Sequence, residues 1–365
     1  MALNLPDFPW DSLEVFRRKA AEHPNGLIDL SVGSPVDPTP DVAVSALRST
    51  GEAPGYPLSA GSAELREAIA SWWRTVRHAT SVTPQHTIAT IGSKEFVALL
   101  PLMLGLGPSD TVVIPRIAYP TYAVGANIVG ARVIAEDSPD AWPEDARLIW
   151  VNSPSNPTGS VLTRDQLREA IRQARARGAV LASDECYALL GPDHAPEAPS
   201  LLDDTVTEGD VRGLLALHSL SKQSNIAGYR AAFVAGDPGL IHQILQVRRH
   251  IGLLVPTPIQ EAIPAILADT AQVERQRQTY AARRNAVREA ASAAGWTIVH
   301  SEAGLYLWAT RHTSTEEALA WWADRGALVA PGHFYGEAGD GFVRIALTAT
   351  DAHIHELVQR LRAHP

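Results

Sequence analysis

Between about residues 41 and 265, short runs of aliphatic and β-branched residues alternate with longer amphipathic segments, and few folds accommodate that rhythm. The runs are HTIATI (86–91), TVVI (111–114), RVIA (132–135), RLIWV (147–151), AVLAS (179–183), LLALHS (214–219) and AAFVAG (231–236). Most lack the polar and apolar alternation of a strand with one wet face, so they must be covered on both sides. Among the intervening segments, RDQLREAIRQARARG (164–178) has helical spacing and a glycine where a helix would end. Strand, crossover helix and strand again dictate a mainly parallel sheet with helices on both faces.

After about residue 270 the rhythm changes. A long charged segment, VERQRQTYAARRNAVREAASAAG (273–295), precedes the strand-like runs TIVH, LYLWA, ALVA and FVRIA, with EEALAWWADRG among them. This predicts a smaller α+β lobe. Residues 1–40 show no strand-helix alternation and are expected to pack on that lobe or on a partner subunit. The expected division is an N-terminal segment (1–40), a large lobe (41–265) and a small lobe (266–365), with a ligand cleft between lobes. The proline-rich stretch GPDHAPEAPSLLDD (191–204) reads as an exposed loop.

Composition narrows the function. The chain has 365 residues, 45% hydrophobic and 19% charged, which suits a soluble globular protein. Its net charge of −9 argues against nucleic acid or an anionic membrane as partner, because both need a basic surface, and leaves small molecules. The single cysteine, Cys186, cannot form an internal bridge, and no Cys/His cluster has zinc-like spacing. A cytoplasmic location is the expectation, with no leader or apolar span in the sequence.

Four segments carry the chemistry: SPSNPTG (153–159), SDECY (183–187), HSLSKQSNIAGYR (218–230) and FVRIA (342–346). The first three adjoin carboxyl ends of expected strands, where open α/β sheets bind ligands. Lys222 sits in a small polar turn with Ser219, Ser221 and, eight residues on, Arg230; hydroxyls and a guanidinium are what a phosphate dianion requires. Asp184 ends an apolar run, so its carboxylate calls for a cationic partner such as a protonated pyridine nitrogen. Tyr187 and Asn156 stand where they could reach a phenolic oxygen of the same ring, although core packing and turn formation account for them equally.

Arg344 interrupts an apolar strand; facing the cleft, it would bind a substrate carboxylate through two hydrogen bonds, and facing water it would mean nothing. Gly92, Ser93 and Lys94 open an apolar helix whose backbone donors favour a phosphate. Gly33 and Tyr56 read as turn residues on their own.

Taken in order, G-Y-P…G…L-R-x-A-I, A-Y-P-T-Y, S-N-P-T-G, D-E-C-Y and S-L-S-K…G-Y-R resemble the class I/II, fold type I aminotransferases over nearly the whole chain. The resemblance implies an α/β fold, with a large domain holding a mainly parallel seven-stranded sheet plus a smaller α+β domain. It implies pyridoxal 5'-phosphate as cofactor, Lys222 as the Schiff-base lysine, Asp184 as partner of the pyridine nitrogen, and Asn156 and Tyr187 as partners of the phenolic oxygen. Ser93, Lys94, Ser219, Ser221 and Arg230 would hold the phosphate and Tyr119 would stack on the ring. Gly33 and Arg344, with Asn156, would receive the substrate's α-carboxylate. Tyr56 would reach the phosphate in a second subunit, which implies a homodimer with shared sites.

The phrases LSVGSPVDPTP, AYPTYAVGA and HSLSKQSNIAGYRAAFVAGD look most like N-succinyldiaminopimelate aminotransferases, which implies amino transfer, glutamate as donor, and a role in diaminopimelate and lysine biosynthesis. Arg116 and Lys94 are the candidates for the distal acidic group. Another transaminase or a C–S β-lyase on the same scaffold would use the same site residues. A cofactor-binding regulator would carry a basic helix-turn-helix region, and none is visible.

Overall fold

The computed structural model describes residues 9–363 except 193 and 196. Its strands are β1 (Ile28–Leu30), β2 (Thr87–Ile91), β3 (Thr111–Ile114), β4 (Arg132–Ala135), β5 (Ala146–Asn152), β6 (Val180–Asp184), β7 (Leu214–Ser219), β8 (Ala231–Gly236), β9 (Thr297–Val299), β10 (Tyr306–Thr310), β11 (Ala327–Pro331) and β12 (Phe342–Ala346). Seven form one sheet in the order β2-β8-β7-β6-β5-β3-β4. Only β8 runs against the others, pairing antiparallel with both β2 and β7. The seven-stranded, mainly parallel sheet is the one expected, and all seven expected strands are present.

The all-apolar runs are explained by burial on both faces. Along β5, Leu148 and Trp150 join one apolar cluster while Ile149 and Val151 join another. Along β7, Leu215 and Leu217 alternate in the same way with Leu214 and Ala216. The first cluster runs on into the smaller sheet through Leu305, Leu307, Val329 and Ile345. One continuous core therefore ties the large sheet to the C-terminal part of the chain.

The smaller sheet has the order β1-β11-β12-β10-β9. Within the segment read as having no strand-helix alternation, the sequence does not mark β1, which pairs in parallel with β11, Ile28 opposite Ala327. Three residues are too few to leave a periodic signal. Residue 265, the expected end of the large lobe, lies within the helix Thr257–Ala268, and the change of rhythm near residue 270 coincides with Asp269, whose side chain accepts from the Gln272 N–H to cap the long helix Thr270–Ala293.

The stretch 191–204 corrects another expectation. Its second half is buried: Leu201 and Leu202 are fully covered, and Ser200 and Asp203 nearly so. The cause is Glu185, whose carboxylate accepts the Leu201 N–H at 2.7 Å and the Ser200 hydroxyl at 3.2 Å, drawing the loop inward. No helix among the described residues is long and apolar enough to cross a membrane.

Candidate active site

Parallel strands end on the same edge of the sheet, so sequence-distant residues meet there. Asp184 is the last residue of β6 and Ser219 the last of β7; Ser93 follows β2 by two positions and Asn156 follows β5 by four. A cleft of about 1670 Å³ opens at this edge. Gly33, Ser93, Lys94, Tyr119, Asn156, Asp184, Tyr187, Ser219, Ser221, Lys222, Arg230 and Arg344 all line it. Tyr56 does not: it stands 97% exposed.

Asp184 is buried, and burial raises its pKa against the counteracting hydrogen bonds from Cys186 and Tyr122. Its Oδ1 accepts the Cys186 N–H at 3.2 Å and its Oδ2 the Tyr122 hydroxyl at 2.9 Å. No ion pair reaches it among the described residues. A buried carboxylate with neutral donors on both oxygens still lacks the cation that would stabilise its charge.

Lys222 lies in the short helix Leu220–Gln223, and its Nζ donates to the Gly33 carbonyl at 2.5 Å. Burial lowers its pKa to about 8; Cys186 acts in the opposite direction, while the positive charges of Arg344 and Arg230 add to the lowering. Near neutrality a share of this amine is therefore unprotonated and nucleophilic.

Arg344 has the reverse problem from Asp184. It is 3% exposed, and its Nη1 donates to the Asn156 side-chain oxygen at 2.9 Å and its Nη2 to the Ser31 carbonyl at 2.6 Å. The Tyr306 ring lies 4.1 Å from the guanidinium carbon. The buried Nε has no partner, and no carboxylate pairs with the group among the described residues. The strand position that looked equally suited to solvent faces the cleft. Asn156 thus meets Arg344 through its oxygen, leaving its NH₂ for another acceptor.

At the far wall the helix Gly92–Met103 begins beside Arg230. Gly92 has φ +70, and a Cβ there would collide with the Arg230 guanidinium. Glycine is required both by the backbone and by the close approach of that group. Arg230 is itself left-handed, φ +57, and its Nη1 donates to the Ala227 carbonyl at 2.7 Å. Helix start, Ser93, Ser221 and Arg230 make an anion cradle. The Ser219 oxygen also accepts from the Ser221 N–H, at 3.2 Å, so its hydroxyl proton is the part left for a ligand. We predict that Gly92→Ala displaces Arg230 and weakens coenzyme binding roughly tenfold or more, measured by titration, since a charge-assisted contact is lost; unchanged affinity would contradict this cradle.

Sequence reasoning missed Tyr122 and Tyr306. Tyr122 is buried, stacks on Trp150 with ring centroids 4.9 Å apart, and meets Tyr119 edge-on at 5.8 Å. It lies in A-Y-P-T-Y, three residues after Tyr119, a spacing that could have brought it in. The Tyr306 hydroxyl is 3.4 Å from that of Tyr187. Burial raises the Tyr187 pKa well above the usual value, so its phenol is a neutral hydrogen-bond donor at physiological pH.

Comparisons with known proteins agree with this geometry. Residues 25–361 match the family model described as aminotransferase class I and II. The chain is 52% identical to 4-dedimethylamino-4-oxo-anhydrotetracycline transaminase OxyQ of Streptomyces rimosus, over 98% of this chain and 99% of that one. It is 48% identical to "Probable aminotransferase Rv1178" of Mycobacterium tuberculosis, over 99% of this chain and 86% of the other. Among solved structures, a probable N-succinyldiaminopimelate aminotransferase of Thermus thermophilus superposes with TM-score 0.88 at 29% identity, covering 98% of this chain and all of that one.

Proposed function

The chain belongs to the class I and II aminotransferases, whose cofactor is pyridoxal phosphate, and from that premise we propose that it moves an amino group from an amino acid, glutamate first, to N-succinyl-2-amino-6-oxopimelate. The observation that carries amino transfer is a complementarity within one cleft: a buried carboxylate without a cation, a buried guanidinium without an anion, and a partly neutral lysine. The coenzyme matches these groups in chemistry: a ring nitrogen for Asp184, a phosphate for Ser93, Ser219, Ser221, Arg230 and the helix start, a phenolic oxygen for Asn156 and Tyr187. A substrate carboxylate suits Arg344, with Gly33 beside it.

When bound, pyridoxal phosphate supplies a ring that takes up the electron pair left when an α-proton departs. The chain does the rest. Lys222 would hold the coenzyme and, once freed by the incoming amine, would carry the α-proton as general base and return it as general acid, a task suited to a pKa of about 8. Asp184, shielded from water, would keep the ring nitrogen protonated. Tyr119 would pack on the ring, and Arg344 would hold the substrate carboxylate within the cleft that Lys222 also lines. The second substrate runs the same steps backwards.

The substrate reading is supported by the likeness to the Thermus protein and by the extent of the cleft, which continues past the coenzyme cradle to Arg17, Arg116, His333 and Phe334. Arg116 and Lys94 are the groups available for distal acids. The test is single-turnover spectroscopy of the aminated coenzyme form against a panel of oxo compounds. N-succinyl-2-amino-6-oxopimelate should react fastest. A faster polycyclic ring ketone would favour a role like that named for the Streptomyces rimosus protein, and release of pyruvate and ammonia from cystathionine would favour a lyase; either would overturn the proposal.

Two companion proposals follow. Tyr56 and Leu58, 97% and 64% exposed, suit a face covered by a second copy, and a cytoplasmic homodimer sharing its sites would bring Tyr56 to the partner's phosphate; a monomer in sedimentation would contradict it. Arg344→Lys should raise KM for amino and oxo substrates together by about 10- to 100-fold with a smaller fall in kcat, because an ammonium cannot reproduce the two-pronged contact; an unaltered KM would remove Arg344 from carboxylate binding.

A further inference from the structure

We propose that His218 is a positioning residue, its imidazole tying the backbone just after Asp184 to the side chain just after Lys222 and so fixing the two catalytic groups relative to each other. The inference rests on the roles given above to Lys222 and Asp184. His218 Nδ1 lies 3.1 Å from the Glu185 carbonyl oxygen, and Nε2 lies 2.6 Å from the Gln223 side-chain oxygen. Asp184 is one residue before Glu185, and Lys222 one before Gln223. His218 itself is 1% exposed and covered by the Trp72 ring, centroids 4.4 Å apart.

The protonation state follows from these partners. Burial pulls the imidazole pKa down to about 3 and the charge of Arg77 adds to it; the Glu185 carbonyl opposes it, as does the Gln223 oxygen while that oxygen faces Nε2. A neutral ring has one N–H. A backbone carbonyl can only accept, so Nδ1 carries the proton and Nε2 is bare. Gln223 must then present its NH₂ to Nε2, the orientation reached by a half-turn of its amide. Both contacts are directional, and the one at Glu185 is anchored behind. The Glu185 N–H donates to the Leu217 carbonyl at 2.9 Å, and its fully buried carboxylate pairs with Arg77 Nη2 at 3.1 Å. The Glu185 side of the bridge is therefore held from four directions, by Leu217, Arg77, Ser200 and Leu201.

A neutral, doubly bonded imidazole between the segments that carry the acid and the amine transmits no charge. It sets distance. Loss of the bridge should let the Lys222 turn relax toward water, since the imidazole is the link between the Gln223 side chain and the Asp184 segment.

The test uses Gln223→Leu, the milder Gln223→Asn, His218→Asn, which keeps only the Nδ1-side contact, and the double variant Gln223→Leu/His218→Asn. In the holoenzyme we expect kcat to fall about tenfold with KM within about twofold, and the circular dichroism band of the bound coenzyme to change, because a small misplacement acts on the chemical step rather than on binding. In the coenzyme-free chain, acylation of Lys222 followed by peptide mass spectrometry should show its midpoint rise from about 8 toward the ordinary 10.5. Cys186, Arg344 and Arg230 still face the amine in every variant, so that rise reports movement into water. The double variant should be no more than about twofold worse than either single one, as partners in one contact are non-additive. Unchanged kcat, dichroism and midpoint in the single variants, even with a lower melting temperature, would make His218 a packing residue and overturn the inference; so would multiplicative losses. If wild-type Lys222 is not protected from acylation by added coenzyme, the assignment of Lys222 fails first, and the two failures are distinguishable.

Discussion

Lys222→Ala should lose transamination by roughly four orders of magnitude or more, to background, because no other group can hold the coenzyme and shuttle the α-proton. The only other lysine lining the cleft is Lys94, which is exposed at the start of the phosphate-side helix. The variant should still fold. Folded Lys222 has a pKa of about 8 against 10.5 ordinarily, so between those pH values the unfolded chain binds the proton that the folded chain does not, and stability rises with pH across that window. Below it the amine is a net burden on the fold, and alanine removes the burden. The coenzyme-free variant should therefore melt no lower than wild type at neutral pH, while the absorbance of the lysine-linked coenzyme disappears. Retained turnover would refute the assignment outright.

Asp184→Ala should lower kcat by about two to four orders of magnitude without unfolding the chain, since a buried charge facing the electron-accepting ring acts in a low-dielectric site. The linkage sign again makes the prediction specific. Burial raises the folded pKa of Asp184, so the folded chain binds the proton more readily than the unfolded one, and stability falls as pH climbs from the ordinary carboxylate value to the raised one. The residue is thus held at some cost to the coenzyme-free fold. Its replacement should leave or raise the melting temperature of that form while weakening coenzyme binding. Near-normal turnover would count against a protonated ring nitrogen, and a collapse of the fold would make Asp184 structural.

The sheet was legible because its inner strands are buried on both faces, a condition that leaves unbroken apolar runs such as LLALHS and AAFVAG. The site was legible because parallel strands deliver their carboxyl ends to one edge, so motifs scattered from Ser93 to Arg230 could be placed together from their order alone. What escaped was set by tertiary contact. A three-residue strand, β1, is stabilised by β11 some 300 positions away and carries no period of its own. Leu201 and Leu202 are buried because a single carboxylate, Glu185, gathers their loop, and proline content misread that loop as exposed. Tyr122 drew no reading of its own within A-Y-P-T-Y; only the fold aims its hydroxyl at Asp184. His218 gave no signal because its two partners are a backbone carbonyl and an amide, groups any sequence supplies. Tyr56 lies away from the cleft of the single chain, and its role stands or falls with the proposed homodimer.

The most direct measurement follows from a property of the sequence itself: it contains three lysines, Lys19, Lys94 and Lys222. Incubation with pyridoxal phosphate, reduction with borohydride and peptide mapping by mass spectrometry then has few places to find the label. The account predicts one coenzyme per chain, on the peptide containing Lys222, together with loss of activity in proportion to labelling. Label confined to Lys19, Lys94 or the amino terminus, or a chain that takes up no label while remaining active, would contradict it.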